Sequence, residues 1–271
     1  MAPPGQKPVI PENAIISPLS RDWLEYGDQG TGHQSPVTSH QSPVARHQSP
    51  VTSHQSEGRG HAEAELRRRI AETGRKLYAL GFVPAADGNI SVRLCGGTVL
   101  ITPSGASKGA LAPADVSKIS MSGELISGRK PSSEYLLHLC VYEQRPDVTA
   151  VIHAHPPVAT GLASAGIALD KPLTSEMVIG LGIVPLADYA TPGTEEVADS
   201  IAGFVKNHNA IMLANHGVVT CGADLETAFQ RMETVEQAAK ITLVAEHLGG
   251  GRPIPPEKVK KLEEIRRRLG L

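Results

Sequence analysis

Residues 148–157 read Val148-Thr149-Ala150-Val151-Ile152-His153-Ala154-His155-Pro156-Pro157. The stretch up to His153 is apolar or β-branched, which predicts a buried strand over 148–153. The two prolines close it, and a helix is expected from about Pro157. Residues i and i+2 of a strand share a face, so His153 and His155 can converge on one ion. Such a pair needs a third ligand from elsewhere and an open position for substrate. His216 is the candidate. The apolar run Ala210 to Ala214 precedes it, and Gly217 follows and allows close backbone approach. Read without a metal, the same pattern is a pair of capped or surface histidines. His138, His208 and His247 read as ordinary helix or loop residues.

Outward from this strand, the chain alternates hairpins and helices. A helix is expected over 62–81, with Leu66, Ile70, Leu77 and Leu80 near helical spacing and Gly81 as its stop. Strands are expected near 90–94 and 98–102 around Gly96-Gly97, and near 116–120 and 124–127 around Gly123. A helix should start at Ser132 or Ser133 and run to about Arg145. Strands near 210–214 and 217–221 flank Asn215-His216-Gly217. Long helices are expected at 193–206, 224–248 and 256–268. Hairpins mixed with helices predict an α/β layered sandwich rather than a doubly wound fold.

Eleven histidines is a high count for 271 residues. Five of them, His33, His40, His47, His54 and His61, fall seven apart; the first four open the units HQSPVTS, HQSPVAR, HQSPVTS and HQSEGRG, and His61 follows the last. The first three units each carry a proline and one sizeable apolar residue, so they have no helical stripe to bury. Residues 1–60 also hold eight of the 21 prolines. They are expected to form a disordered tail, and residues 61–271 the folded domain. The formal net charge of −2 lacks the basic excess that a nucleic-acid or membrane-surface partner would want. No apolar run is long enough to span a bilayer, and the N-terminus does not read as a secretory signal. Three scattered cysteines, Cys95, Cys140 and Cys221, fit a reducing cytoplasm.

Three short polar segments can also carry chemistry. Pro131-Ser132-Ser133-Glu134 reads as a helix start, where serine caps and an early glutamate are ordinary. Its free N–H groups and hydroxyls could equally hold a phosphate while Glu134 serves as a base. Gly88-Asn89-Ile90-Ser91 and Thr102-Pro103-Ser104-Gly105 are glycine-bearing turns. Lys108 reads as a solvated or helix-capping residue.

In the order GNIS, TPSG, SSE, HAH, NHG, these segments resemble the class II aldolase/adducin-head family, and within it most the fuculose-1-phosphate aldolases. The likeness covers residues 62–250. Glu134 stands 19 residues before His153, and His216 stands 61 after His155, as in that family. The resemblance implies a three-layer α/β/α sandwich with a mixed, mainly antiparallel sheet. It implies one zinc per subunit on His153, His155 and His216, with Glu134 as catalytic acid/base. A sugar phosphate would be held by Asn89, Ser104, Gly105, Ser132 and Ser133. The implied reaction is cleavage of a ketose 1-phosphate to dihydroxyacetone phosphate and an aldehyde, in a cytoplasmic homotetramer. One departure is Glu176, which stands where fuculose aldolases carry a proton-donating tyrosine. That glutamate resembles the methylthioribulose-1-phosphate dehydratase branch, so a second catalytic role falls on Glu176 and a dehydratase is the alternative. A metal-free adducin-like interaction module is the non-enzymatic alternative. The epimerase branch carries an aspartate at the position of Glu134.

Overall fold

A computed structural model describes residues 54–271. The first helix, α1 (His54–Ala79), feeds a β-hairpin of β1 (Asn89–Leu94) and β2 (Thr98–Ile101). Two short 3-10 turns at Lys108–Ala110 and Pro113–Asp115 lead to β3 (Ser117–Ser120) and β4 (Leu125–Ser127). Then come α2 (Tyr135–Gln144), β5 (Ala150–Ala154), α3 (Pro157–Ser164), α4 (Ser175–Gly180) and the two-residue β6 (Leu186–Ala187). The chain finishes with α5 (Glu195–Val205), β7 (Ala210–Leu213), β8 (Gly217–Gly222), α6 (Leu225–His247) and α7 (Pro256–Leu269).

All eight strands lie in one sheet, ordered β4-β3-β2-β1-β5-β8-β7-β6. Every pairing is antiparallel except β6 with β7. Strand alternation sorts the apolar residues onto two faces. Ile90, Val92, Leu100, Ile152, Met212 and Val218 pack in one buried cluster with Ile70 and Leu77 of α1 and Phe229 and Met232 of α6. Val99, Ile101, Val151, Ile211 and Val219 pack in the other, with Leu137 and Val141 of α2 and Val197 and Ile201 of α5. Helices therefore cover both faces, giving the expected three-layer sandwich. Ile152 is fully buried at its centre, a burial worth about 1.5–3 kcal/mol.

Several boundaries differ from the sequence-based expectation. The helix expected from residue 62 begins at His54. Glu57 stands where the first three repeat units carry proline, so the backbone of the last unit, 54–60, can be helical. The earlier repeats and the rest of the expected tail lie outside the described residues. The helix expected from Ser132 or Ser133 begins at Tyr135, and its N-cap, Glu134, makes no capping side-chain bond. The central strand runs one residue past His153, to Ala154. α4 and β6 were not expected. They are six and two residues long, too short for a periodicity to show.

Candidate metal centre and acid–base site

The register of the sheet builds the site. β5 lies between β1 and β8, and its odd positions face the α2–α5 layer, as Val151 does. His153 and His155 follow on that side. Asn89 pairs with His153 across β1–β5, and Val219 pairs with His153 across β5–β8. The β7–β8 turn brings His216 alongside. Asn215 takes φ 55 there, a left-handed conformation that asparagine tolerates. Gly217 then passes so close to β5 that a Cβ would lie 2.6 Å from the Ala154 carbonyl oxygen.

The three imidazoles converge as expected. One ring nitrogen from each lies within 4.8 Å of the others, and the ring centroids are 4.7–5.3 Å apart. His153 Nδ1 donates to the Val218 carbonyl oxygen at 3.0 Å, which leaves Nε2 bare. His155 Nδ1 faces the Asp87 carboxylate at 3.5 Å, which leaves its Nε2 bare as well. These two Nε2 atoms are 3.1 Å apart, an approach of lone pairs that a cation between them relieves. Burial pushes the His153 pKa down to about 3 and lowers that of His155. Both are therefore neutral at pH 7, the form that ligates metal.

Glu134 closes the site from the N-terminal end of α2. Its Oε1 is 3.2 Å from His216 Nε2, and its Oε2 is 3.4 Å from His153 Nε2. Oε2 also accepts from Asn89 Nδ2 at 2.9 Å, whereas Oε1 is buried with no hydrogen-bond partner. Burial by itself would raise the Glu134 pKa. The facing His153 and His216 and the Asn89 bond outweigh it, so the net direction is down. The donor set and the orphaned oxygen fit a divalent cation.

The remaining expected residues fall in two groups. An isolated bridge between Pro103 and Pro131 lays the Thr102–Gly105 loop against the Pro131–Glu134 turn. Ser104, Gly105 and Ser133 are exposed there, and Ser132 is buried with its Oγ accepting from Glu134 N at 3.3 Å. The Asn89 amide is engaged with Glu134, and its second Nδ2 hydrogen remains for an anion. Glu176 stands apart. It is exposed on the first turn of α4, and among the described residues no hydrogen bond or ion pair ties it to Glu134 or to the three histidines.

Two residues were misread from sequence. Lys108, expected to be solvated or to cap a helix, is 2% exposed, with Nζ donating to the carbonyls of Ala86 at 2.7 Å and Ala106 at 2.9 Å. Burial lowers its pKa to about 8. The signal available was Gly74, a mid-helix glycine whose Cβ would meet the Lys108 carbonyl oxygen at 3.0 Å. His138, expected to be ordinary, is fully buried and hydrogen-bonded to Asn89 and Ser91.

A helix-covered, mainly antiparallel sheet, with three converging imidazoles that could hold a metal ion and a carboxylate beside them, defines the α/β/α sandwich class of the chain. Within that class, the chain belongs to the family described as class II aldolase and adducin N-terminal domain, whose model matches residues 68–243. It is 35% identical over 210 residues to 3-oxo-tetronate 4-phosphate decarboxylase of Escherichia coli K12, covering 75% of this chain and 96% of that protein. It is 34% identical over 199 residues to 5-deoxy-D-ribulose 1-phosphate aldolase of Bacillus thuringiensis serovar kurstaki, covering 72% and 92%. A solved structure of an L-fuculose 1-phosphate aldolase matches with TM-score 0.71 at 32% identity, covering 75% of this chain and 96% of that one.

Proposed function

We propose that this chain is a zinc-dependent lyase that breaks the carbon–carbon bond beside the ketone of a small sugar phosphate. The observation that carries this reading is Glu134, held by Asn89 and set 3.2–3.4 Å from two of three converging imidazoles. His153, His155 and His216 would hold the zinc, which when bound supplies a Lewis acid for negative charge developing on substrate oxygen. Ser104, Gly105, Ser132 and Ser133, with Asn89, would seat the phosphate through hydroxyls and N–H groups. As the bond breaks, the carbon next to the ketone keeps the electron pair, and Glu134 delivers a proton to it. Glu134, a carboxylate with a lowered pKa, takes that proton first from water, because loss of carbon dioxide from a carboxylate consumes one proton.

Decarboxylation of a 3-oxo acid sugar phosphate fits these groups best, because carbon dioxide departs with no proton to remove. The Escherichia coli relative supports it. Retro-aldol cleavage of a ketose 1-phosphate, the expectation from sequence, is the second reading, and the aldolase relatives support it. It needs a further base on the leaving aldehyde side. Glu176 could supply it only across a subunit boundary, in the homotetramer that the resemblance implies. We place the protein in the cytoplasm on its cysteine pattern. Among the described residues, no helix is long and apolar enough to cross a membrane.

The test is a panel of 3-oxo-tetronate 4-phosphates and ketose 1-phosphates, offered to zinc-loaded protein. Equal release of carbon dioxide and dihydroxyacetone phosphate is the expected outcome. Dihydroxyacetone phosphate with an aldehyde would establish the aldolase reading. Loss of water without cleavage would move the assignment to a dehydratase. Inertness together with failure to bind zinc would leave an interaction module.

A further inference from the structure

Behind Glu134 and Asn89 runs a buried line of polar side chains, Ser91, His138 and Tyr142, that the proposed reaction does not use. Asn89 and Ser91 lie two apart on one face of β1, and His138 and Tyr142 lie four apart on α2. The two pairs therefore interdigitate where strand and helix pack. All four side chains are at most 2% exposed. His138 Nε2 bonds Asn89 Oδ1, His138 Nδ1 meets Ser91 Oγ at 2.7 Å, and Ser91 Oγ meets Tyr142 OH at 2.7 Å.

The direction of every bond follows from its chemistry. An ionised Glu134 only accepts, so Asn89 must present Nδ2 to it and turn Oδ1 to His138. An amide oxygen also only accepts, so His138 carries its hydrogen on Nε2. Burial lowers the His138 pKa to about 4, so the ring is neutral and Nδ1 has none. Ser91 therefore donates to Nδ1. A hydroxyl has one hydrogen, so Ser91 must accept from Tyr142. The competing Tyr142 contact to the Thr149 carbonyl is 3.4 Å, much longer.

We propose that His138 is a positioning residue for Glu134. The one-way chain Tyr142 to Ser91 to His138 to Asn89 fixes the Asn89 amide and tethers Oε2, which leaves Oε1 as the proton-carrying oxygen. Oε1 is the atom with no hydrogen-bond partner, on the side of His216. Without the Nε2–H of His138, the Asn89 amide could turn over and set its oxygen against the carboxylate. The carboxylate would then lose its tether. The inference rests on the acid–base role of Glu134, and its test is arranged in two independent parts.

The first part needs no substrate. Nitrogen-15 NMR of the full-length, zinc-loaded protein labelled at histidine, with His138 assigned by its loss in His138→Gln, reads the tautomer directly. The expected result is a neutral ring with hydrogen on Nε2. Hydrogen on Nδ1 overturns the proposal. The second part is kinetic. His138→Leu should lower kcat by about 10–100-fold with zinc content unchanged, and KM should rise by less than kcat falls, since Asn89 is one of several phosphate contacts. His138→Gln, which keeps an N–H toward Asn89, should recover most of the loss. A His138→Leu protein with wild-type kcat, or one whose defect lies in KM alone or is not rescued by glutamine, overturns the proposal. A wild-type protein inactive on every substrate counts against the proposed function, and the tautomer then decides the positioning role alone.

Discussion

Replacing Gly217 by alanine tests how tightly the candidate metal centre is built. A Cβ at 217 would lie 2.6 Å from the Ala154 carbonyl oxygen, 2.6 Å from His155 Cδ2 and 3.2 Å from His153 Cε1. None of these atoms ends a flexible side chain. The first belongs to the backbone of the central strand, and the others to rings held by hydrogen bonds or burial. Two of the contacts fall roughly 0.8–1 Å short of ordinary van der Waals distance. β8 must therefore part from β5, or both rings must turn. Overpacking of this kind costs about 1–3 kcal/mol. In a domain of this size each kcal/mol lowers Tm by about 2–4 °C. Because the same shift displaces two of the three nitrogen donors, zinc affinity should fall by about 10–100-fold. Calorimetric melting of metal-free and zinc-loaded protein, with zinc competition against a chromophoric chelator, measures both effects. Gly203→Ala in α5 is the control. Its Cβ meets nothing within 4 Å, and replacing this last-turn glycine should stabilise by at most about 0.5–1 kcal/mol. If Gly217→Ala melts with the wild type and binds zinc equally well, the seam between β5 and β8 is not closed as the structure has it, and the reasoning fails.

Three further outcomes follow from buried or half-buried polar groups. The folded-state pKa of Lys108 is depressed to about 8, so between pH 8 and the ordinary lysine range the unfolded chain binds more protons, and stability rises with pH. The melting difference between wild type and Lys108→Met should accordingly move in favour of the wild type from pH 8 to pH 10, and a difference flat with pH would refute the burial. Glu236 accepts from Val158 N at 3.1 Å and Ala159 N at 3.0 Å at the start of α3. Glu236→Gln should lower unfolding free energy in urea by about 0.5–2 kcal/mol. Arg93 donates to the carbonyls of Tyr142 at 2.8 Å and Pro146 at 2.6 Å, closing the chain after α2. Urea titration of Arg93→Met should show a loss of about 1.5–3 kcal/mol.

How much of this was legible depended on whether a residue's fate is set locally. β5 could be read from its own composition, and the i, i+2 rule then placed His153 and His155 on one side before any partner strand was known. α6, expected over 224–248, runs Leu225–His247, and Asp224 caps it by accepting from Thr227 N at 2.7 Å. α2 was harder. Its sequence YLLHLCVYEQ is apolar nearly all round, so no stripe marked His138 as facing the site. The pairing of β1 with β5, which sets Asn89 opposite His153, joins segments some 60 residues apart and leaves no local pattern. Lys108 is buried because α1 and the 84–88 loop close over it, and those contacts too are remote in sequence. Glu176 shows the converse. Its place in a motif singled it out, yet in a single chain it sits in solvent.

The placement of β5 also bears on how the molecule is made. Its two neighbours, β1 and β8, lie on opposite sides of it in the chain. On the ribosome, β1 is ready before β5 appears, but β8 arrives only after His216, 61 residues past His155. At about 5–20 residues per second that interval lasts roughly 3–12 s. Through it, the nascent sheet ends in a strand that is apolar but for His153, with open N–H and C=O groups, the arrangement most prone to pair with another chain. Synthesis that stalls between β5 and β8 would therefore release a product that self-associates. The step at which the third histidine joins the first two is the same step that seals this edge.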